Sequence, residues 1–232
     1  MSKGQRRQSG ETRQEMLRMA VALFLEKGYQ RTTTAEISKA VGMSANAIFR
    51  VFPDKESILN ALVRYMIEEQ FKMARHFVED GGVCDPVFLY GVETALQLHI
   101  AEMSEALRDL YVSAYSLPTT SEYIYQTVSK KLVKIFEEYL PECEEKDFYE
   151  MEIATAGIVR GYMAKKCDMY FTMKQKIRRF LEVTLKIYGV PPEKRSDITE
   201  RVLILPLAEV AEKIIRETVQ KAETGFAGHY EC

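Results

Sequence analysis

Apolar residues recur along the chain at spacings of three and four. No stretch shows the alternation of period two, framed by hairpin turns, that a half-buried strand requires. The first repeat places Met16, Leu17, Ala20, Leu23 and Phe24 on one helical face and ends near Lys27-Gly28. Two short segments follow, about 34–41 and 45–52, before Pro53-Asp54 interrupts the chain. Asp54 is placed to cap a long helix from Lys55 to about Phe77. Further helices are expected near 87–102, 104–115, 121–139, 147–169, 173–188 and 197–222. Gly81-Gly82, Asp85-Pro86, Leu117-Pro118, Pro141 and Gly189-Val190-Pro191-Pro192 punctuate them, and Pro206 is expected to kink the last. Thr12-x-x-Glu15, Thr33-x-x-Glu36, Thr119-x-x-Glu122, Asp147-x-x-Glu150 and Asp197-x-x-Glu200 read as capping boxes at helix starts.

Composition adds little to that pattern and removes several classes. At 47% hydrophobic and 28% charged, the 232-residue chain is globular in type, with no apolar run long enough to span a bilayer. Its polar, basic first residues, Met1 to Gln8, lack the apolar core of a secretory signal, so a cytoplasmic location is expected. The four cysteines are far apart and form no CxxC pair. The net charge of −2 conceals an asymmetry. Residues 1–60 hold ten Lys/Arg against six Asp/Glu, so a basic end sits on an acidic body.

That basic end carries the most informative local pattern, TAEISKAVGMSANAIFRV over residues 34–51. Ile37, Val41, Met43, Ile48 and Val51 are placed to pack two short helices against a third. Gly42 stands at the turn, where a positive φ is cheap only without a side chain. Ser44 can cap the second helix, leaving Ala45, Asn46, Ala47 and Arg50 facing outward. A helix of that width fits the major groove of B-DNA. Asn46 can then pair with adenine, Arg50 with guanine or a phosphate, and the small Ala45 and Ala47 permit close approach. Thr33, Thr34 and Lys55, at helix starts, are placed to meet phosphates. The expected fold is therefore all-α. A three-helix helix-turn-helix DNA-binding domain occupies 1–54, and a larger helical ligand-binding and dimerisation domain fills 55–232, entered through a connecting helix at 55–78.

Over about residues 12–62 the sequence resembles the TetR (tetracycline-repressor-like) family of bacterial transcriptional regulators. Gly28-Tyr29, Thr33, Ile37, Val41-Gly42-Met43-Ser44, Ile48-Phe49, Phe52 and Lys55-Glu56 fall where that family has similar residues. One departure is Phe49, where the family usually has a tyrosine whose hydroxyl contacts a phosphate; Ala47 in place of glycine is another. The resemblance implies a homodimer on a palindromic double-stranded operator, with a small-molecule effector in the larger domain that releases the DNA. A family-like sensor that has lost ordinary repression is the alternative.

The helices at 147–169, with Ala154, Ala156, Gly157, Gly161 and Ala164, and at 173–188 are expected to form the dimer contact. The larger domain is rich in Met and Tyr, and a mostly apolar pocket for a lipophilic or aromatic effector is expected there. Its candidate lining is Glu93, His99, Met103, Tyr111, Tyr115, Tyr123, Met151 and Thr155. His76, His99, His229 and the cysteines share no metal-ligand spacing, so no metal and no cofactor are expected. No nucleophile, phosphate-loop or acid–base motif is present, which leaves an enzyme without support.

Overall fold

The computed structural model describes residues 3–80 and 85–224, with side chains described within 12–44, 46–76 and 85–221. All regular structure among them is helical. The small N-terminal head consists of α1 (Lys3–Lys27), α2 (Thr34–Val41) and α3 (Ala45–Phe49). The body consists of α4 (Lys55–Asp80), α5 (Pro86–Met103), α6 (Glu105–Ala114), α7 (Pro118–Phe136), α8 (Glu145–Ala164), α9 (Met173–Ile187), α10 (Pro192–Leu203) and α11 (Leu207–Thr224).

The head is built as the apolar spacing requires. Met16, Leu17, Ala20 and Phe24 of α1 are buried with Ile37, Ile48 and Phe52, and Val41, Met43 and Val51 pack around them half-buried. Arg13 closes the seam, its guanidinium 4.4 Å above the Phe52 ring. The third helix stops at Phe49, short of the expected Phe52. Pro53 explains this, because its ring disfavours helical dihedrals at Phe52.

Only one expected capping box forms as written. The Thr33 hydroxyl accepts the N–H of Glu36 at 3.2 Å, and the Glu36 carboxylate accepts the N–H of Thr33 at 2.8 Å. Thr12 lies inside α1, which starts at Lys3, and Glu15 pairs with Arg18 instead. α7 starts at Pro118 and α10 at Pro192, since proline suits the first helical turn, so neither Thr119 nor Asp197 caps a helix. Asp147 is the third residue of a box headed by Glu144. Pro206 divides the last expected helix into α10 and α11 rather than kinking one helix.

In the body, α5 is central. It carries no Lys or Arg, and nearly every residue from Val87 to Ala101 is buried. A helix that is apolar on all sides must be surrounded, and α5 contacts α4 and every other body helix. Near its far end, the fully buried Lys176 ammonium donates to Glu102 at 3.0 Å and to the Lys165 carbonyl at 2.5 Å. A buried cation survives only with such partners. α11 folds back across the body to touch both α5 and α1.

Candidate functional site

Two regions concentrate unusual chemistry: the outer surface of the head and an inner cavity in the body. At the head, Gly42 ends α2 at φ +71°, its N–H donating to the carbonyls of Lys39 and Ser38. The chain then turns, and Ser44 caps α3 by accepting the N–H of Ala47 at 3.3 Å. Ile48 is buried, whereas Asn46 and Arg50 are exposed, Ala47 is half-buried and Phe49 is 44% exposed. The Ala45 side chain lies outside the described residues. Thr34 follows the cap residue of α2, and its carbonyl accepts the Ser38 hydroxyl at 2.8 Å.

Two of the expected phosphate donors are engaged within the protein. Thr33 commits its hydroxyl and N–H to Glu36. The Lys27 ammonium beside Glu36, together with those Thr33 bonds, holds the Glu36 carboxyl down to about 2. Lys55 departs further from its expected role. Its ammonium donates to the carbonyls of Tyr29 and Thr32, both at 2.9 Å, and lies 4.1 Å above the Tyr29 ring. Both carbonyls belong to the α1–α2 turn, where that of Tyr29 also accepts the Thr32 N–H at 3.2 Å, so Lys55 fastens α4 to that turn. The neighbouring Glu56 accepts the N–H groups of Thr119 and Thr120 at 2.7 and 3.1 Å. It thereby caps α7, whose own N-cap residue, Leu117, has no capping side chain. Lys55 and Glu56 together bind the start of α4 to the head on one side and to the body on the other.

Farther along α4, Gln70 and Phe71 reach the inner cavity. It consists of two narrow compartments that share Gln97 and Tyr115 as walls. One, with Met66, Gln70 and Tyr111, has no ionisable acid or base in its wall apart from tyrosine; Gln70 donates to the Tyr111 hydroxyl. The other contains Glu93, Glu152 and Thr155, with rings from Phe71, Tyr90 and Phe180. Both are water-sized as the side chains stand, so a larger guest must part the helices.

Four of the eight expected lining residues meet there: Glu93, Tyr111, Tyr115 and Thr155. His99, Met103, Tyr123 and Met151 line neither compartment. Helical rotation is the reason. On α5, Glu93 and Gln97 share a face, while His99 and the exposed Met103 lie round the helix from it. Tyr123 and Met151 each stand one residue before a lining residue, Ile124 and Glu152, and so about 100° away. Tyr123 instead lies 4.0 Å beneath the Arg64 guanidinium.

Glu152, Gln97 and Gln70 escaped the sequence reading. The spacing Glu93-x-x-x-Gln97 and Glu152-x-x-Thr155, polar pairs on otherwise apolar helix faces, was the available signal. Glu93 and Glu152 are 2% and 5% exposed. Burial pushes the Glu93 carboxyl up to about 7 and Glu152 up to about 8, with Glu93 adding to the upward shift of Glu152. Hydrogen bonds from Gln97 to Glu93 and from Thr155 to Glu152 partly oppose the shifts.

The family described as "Bacterial regulatory proteins, tetR family" matches residues 16–62, the head and the start of α4. The chain is 32% identical over 69 residues to the HTH-type transcriptional repressor KstR2 of Rhodococcus jostii (strain RHA1), covering 30% of this chain and 34% of that protein. It is 22% identical over 216 residues to the HTH-type transcriptional regulator AcrR of Shigella flexneri, covering 86% of this chain and 99% of that one. The crystal structure of RolR in complex with resorcinol shares the fold. It has a TM-score of 0.64 at 16% identity and covers 84% of this chain and 96% of that one. The described residues include no group of three or more His, Cys, Asp or Glu that could hold a metal, and no helix long and apolar enough to cross a membrane. The head, which buries its apolar pattern and exposes α3, is thus the part of the chain that matches the tetR family of bacterial regulatory proteins, and over most of its length the chain is similar to a transcriptional regulator.

Proposed function

We propose that the protein is a homodimeric repressor that sets α3 of each subunit into a palindromic operator and lets go when a small molecule enters the inner cavity. The observation that carries this reading is α4. Its first turn is bonded to the head through Lys55 and to α7 through Glu56. Met66, Gln70 and Phe71, farther along the same helix, wall the cavity. A guest that parts α4 from α5 and α6 must tilt α4, and the head moves with it. In a two-headed molecule a small tilt changes the distance between recognition helices, and DNA half-sites tolerate little mismatch in spacing.

The dimer contact of this reading lies on α8 and α9. Ile153, Ala154, Gly157, Gly161 and Ala164 are exposed along one side of α8, with Val183 exposed on α9. A Cβ added at Gly157 or Gly161 would meet no atom within 4 Å, which leaves room for a second helix to approach.

Selection of genomic fragments on the purified protein, followed by footprinting, tests the reading. One or a few palindromic sites protected at moderate salt is the expected result. Fragments retained without sequence preference would count against it. That outcome would favour the alternative, a sensor without repression, whose one supporting feature is Phe49, a ring without the hydroxyl that the family resemblance places there.

A further inference from the structure

We propose that the inner cavity takes an organic monocation with an apolar body, held by the free carboxyl oxygens of Glu93 and Glu152 and the aromatic rings around them. This rests on the reading of the cavity as the effector site and adds the chemical class of the effector.

The two carboxyls are supplied in the same way. Tyr115 donates to Gln97 at 2.8 Å, and Gln97 donates to Glu93 Oε1 at 2.6 Å. The Tyr188 hydroxyl donates to the Thr155 hydroxyl across 2.8 Å, and Thr155 donates on to Glu152 Oε2 at 2.9 Å, with the Tyr188 oxygen 3.4 Å from the same carboxyl oxygen. Each chain of donors ends on one oxygen. Glu93 Oε2 and Glu152 Oε1 receive no hydrogen bond among the described residues, although both side chains are more than nine-tenths buried and line the cavity.

A carboxylate in such a place calls for a countercharge, because an ion out of water is costly without one. The protein supplies little. Lys131 is the cation that acts on Glu93, and its ammonium is held 3.4 Å from Glu68 and 4.8 Å from the Phe71 ring centre. The other titratable groups acting on the two acids, or acted on by them, are the phenols of Tyr90, Tyr111, Tyr115 and Tyr188, which stay neutral. An anionic guest would be repelled. A neutral one would leave the acids protonated and gain only ordinary hydrogen bonds. A monocation ionises one of them, whose proton leaves for solvent while the other acid keeps its own, and it also gains the rings of Phe71, Tyr90 and Phe180. Its entry displaces a proton, so its affinity rises with pH through the range in which Glu93 and Glu152 titrate.

Calorimetric titration of the full-length protein with benzyltrimethylammonium and with its uncharged carbon isostere, neopentylbenzene, decides the matter. The cation is expected to bind at least about tenfold more tightly, the equivalent of one pKa unit of coupling. It should release a proton, seen as a heat that depends on buffer ionisation. E93Q and E152Q imitate the protonated acids without altering shape. Each should lower the charge preference, and the double variant E93Q/E152Q should erase it, read as the ratio of the two probes' affinities within each protein. Equal affinity for the two probes, an unaltered preference in both single variants, or binding of neither would overturn the assignment. Operator binding by the same samples without any probe is read separately, so failure of the cation preference is distinct from failure of the repressor reading.

Discussion

Asp109 on α6 accepts the backbone N–H of Gln30 at 2.8 Å, joining the body to the turn between α1 and α2. The same carboxylate lies against Gly28, which holds φ +92°; a Cβ there would come within 2.6 Å of it. The glycine is needed both for its backbone angle and for this approach. Asp109→Ala is expected to cost about 1 kcal/mol, the usual value of one such bond. In hydrogen exchange, the Gln30 amide should lose protection while the start of α4 keeps it. Gly28→Ala should cost more, because strain and contact add. An unchanged melting temperature in Gly28→Ala would contradict this picture of the joint.

Lys55 is bonded within the protein, whereas Arg50 is exposed, so the two cations are expected to answer differently to substitution. Arg50→Ala should weaken operator binding and lower the slope of log affinity against log salt by about one, as loss of a phosphate contact does. Lys55→Met should also weaken binding, through a displaced head, but leave that slope unchanged. Fluorescence anisotropy across a salt series measures both. A reduced slope in Lys55→Met would show that its ammonium leaves the Tyr29 and Thr32 carbonyls to meet DNA.

Phe49 is partly exposed beside Arg50. Phe49→Tyr is expected to raise operator affinity about fivefold, the worth of one added hydrogen bond of about 1 kcal/mol. Stability should hardly change, since the new hydroxyl remains in water. Equal affinity of the two proteins would mean that this ring does not approach a phosphate.

The buried acids make a pH prediction whose sign is fixed. In the unfolded chain Glu93 and Glu152 titrate near the ordinary carboxylate value; in the folded protein they titrate at about 7 and about 8. Between those limits the folded state binds more protons, so stability falls as pH rises from about 4.5 to 8. It is fully present below that range. E93Q/E152Q should flatten the decline and melt above the parent at pH 8, with the gap closing towards pH 4.5. Parallel melting curves for parent and variant over that interval would refute the assignment.

The open side of α8 gives a test of the dimer. Gly161→Arg places a long side chain where no atom lies within 4 Å, so the subunit should fold as before. Sedimentation should show the dimer replaced by monomer, with operator affinity lost alongside it. A variant that remains dimeric would move the contact elsewhere.

How far the sequence could be read depended on whether local rules or rotation about a helix decided the outcome. Gly42 and Ser44 each act within their own turn, so the placement of α2 and α3 was legible from spacing alone. Lys55 was misread because its partners, the Tyr29 and Thr32 carbonyls, become available only once α1 and α4 are in contact. Thr12 had the right residues for a box, yet α1 runs through it, because helix starts are settled by the whole segment. In the body, Met and Tyr content announced a cavity but not its walls. Tyr123 and Met151 miss it by one residue each, whereas Glu152 and Gln97 enter it, a distinction that turns on the angle at which each helix leans on α5.

The return of α11 to α1 has a consequence for how the molecule is made. Leu207, Ala211 and Ile214 are buried on α11, whose start lies beyond Pro206, and it is the last described helix in the chain. A ribosome therefore finishes the small head well before it makes the helix that braces α1. Until α11 has been made, a nascent chain carries an unbuttoned seam beside α1, and its head stays unsteady.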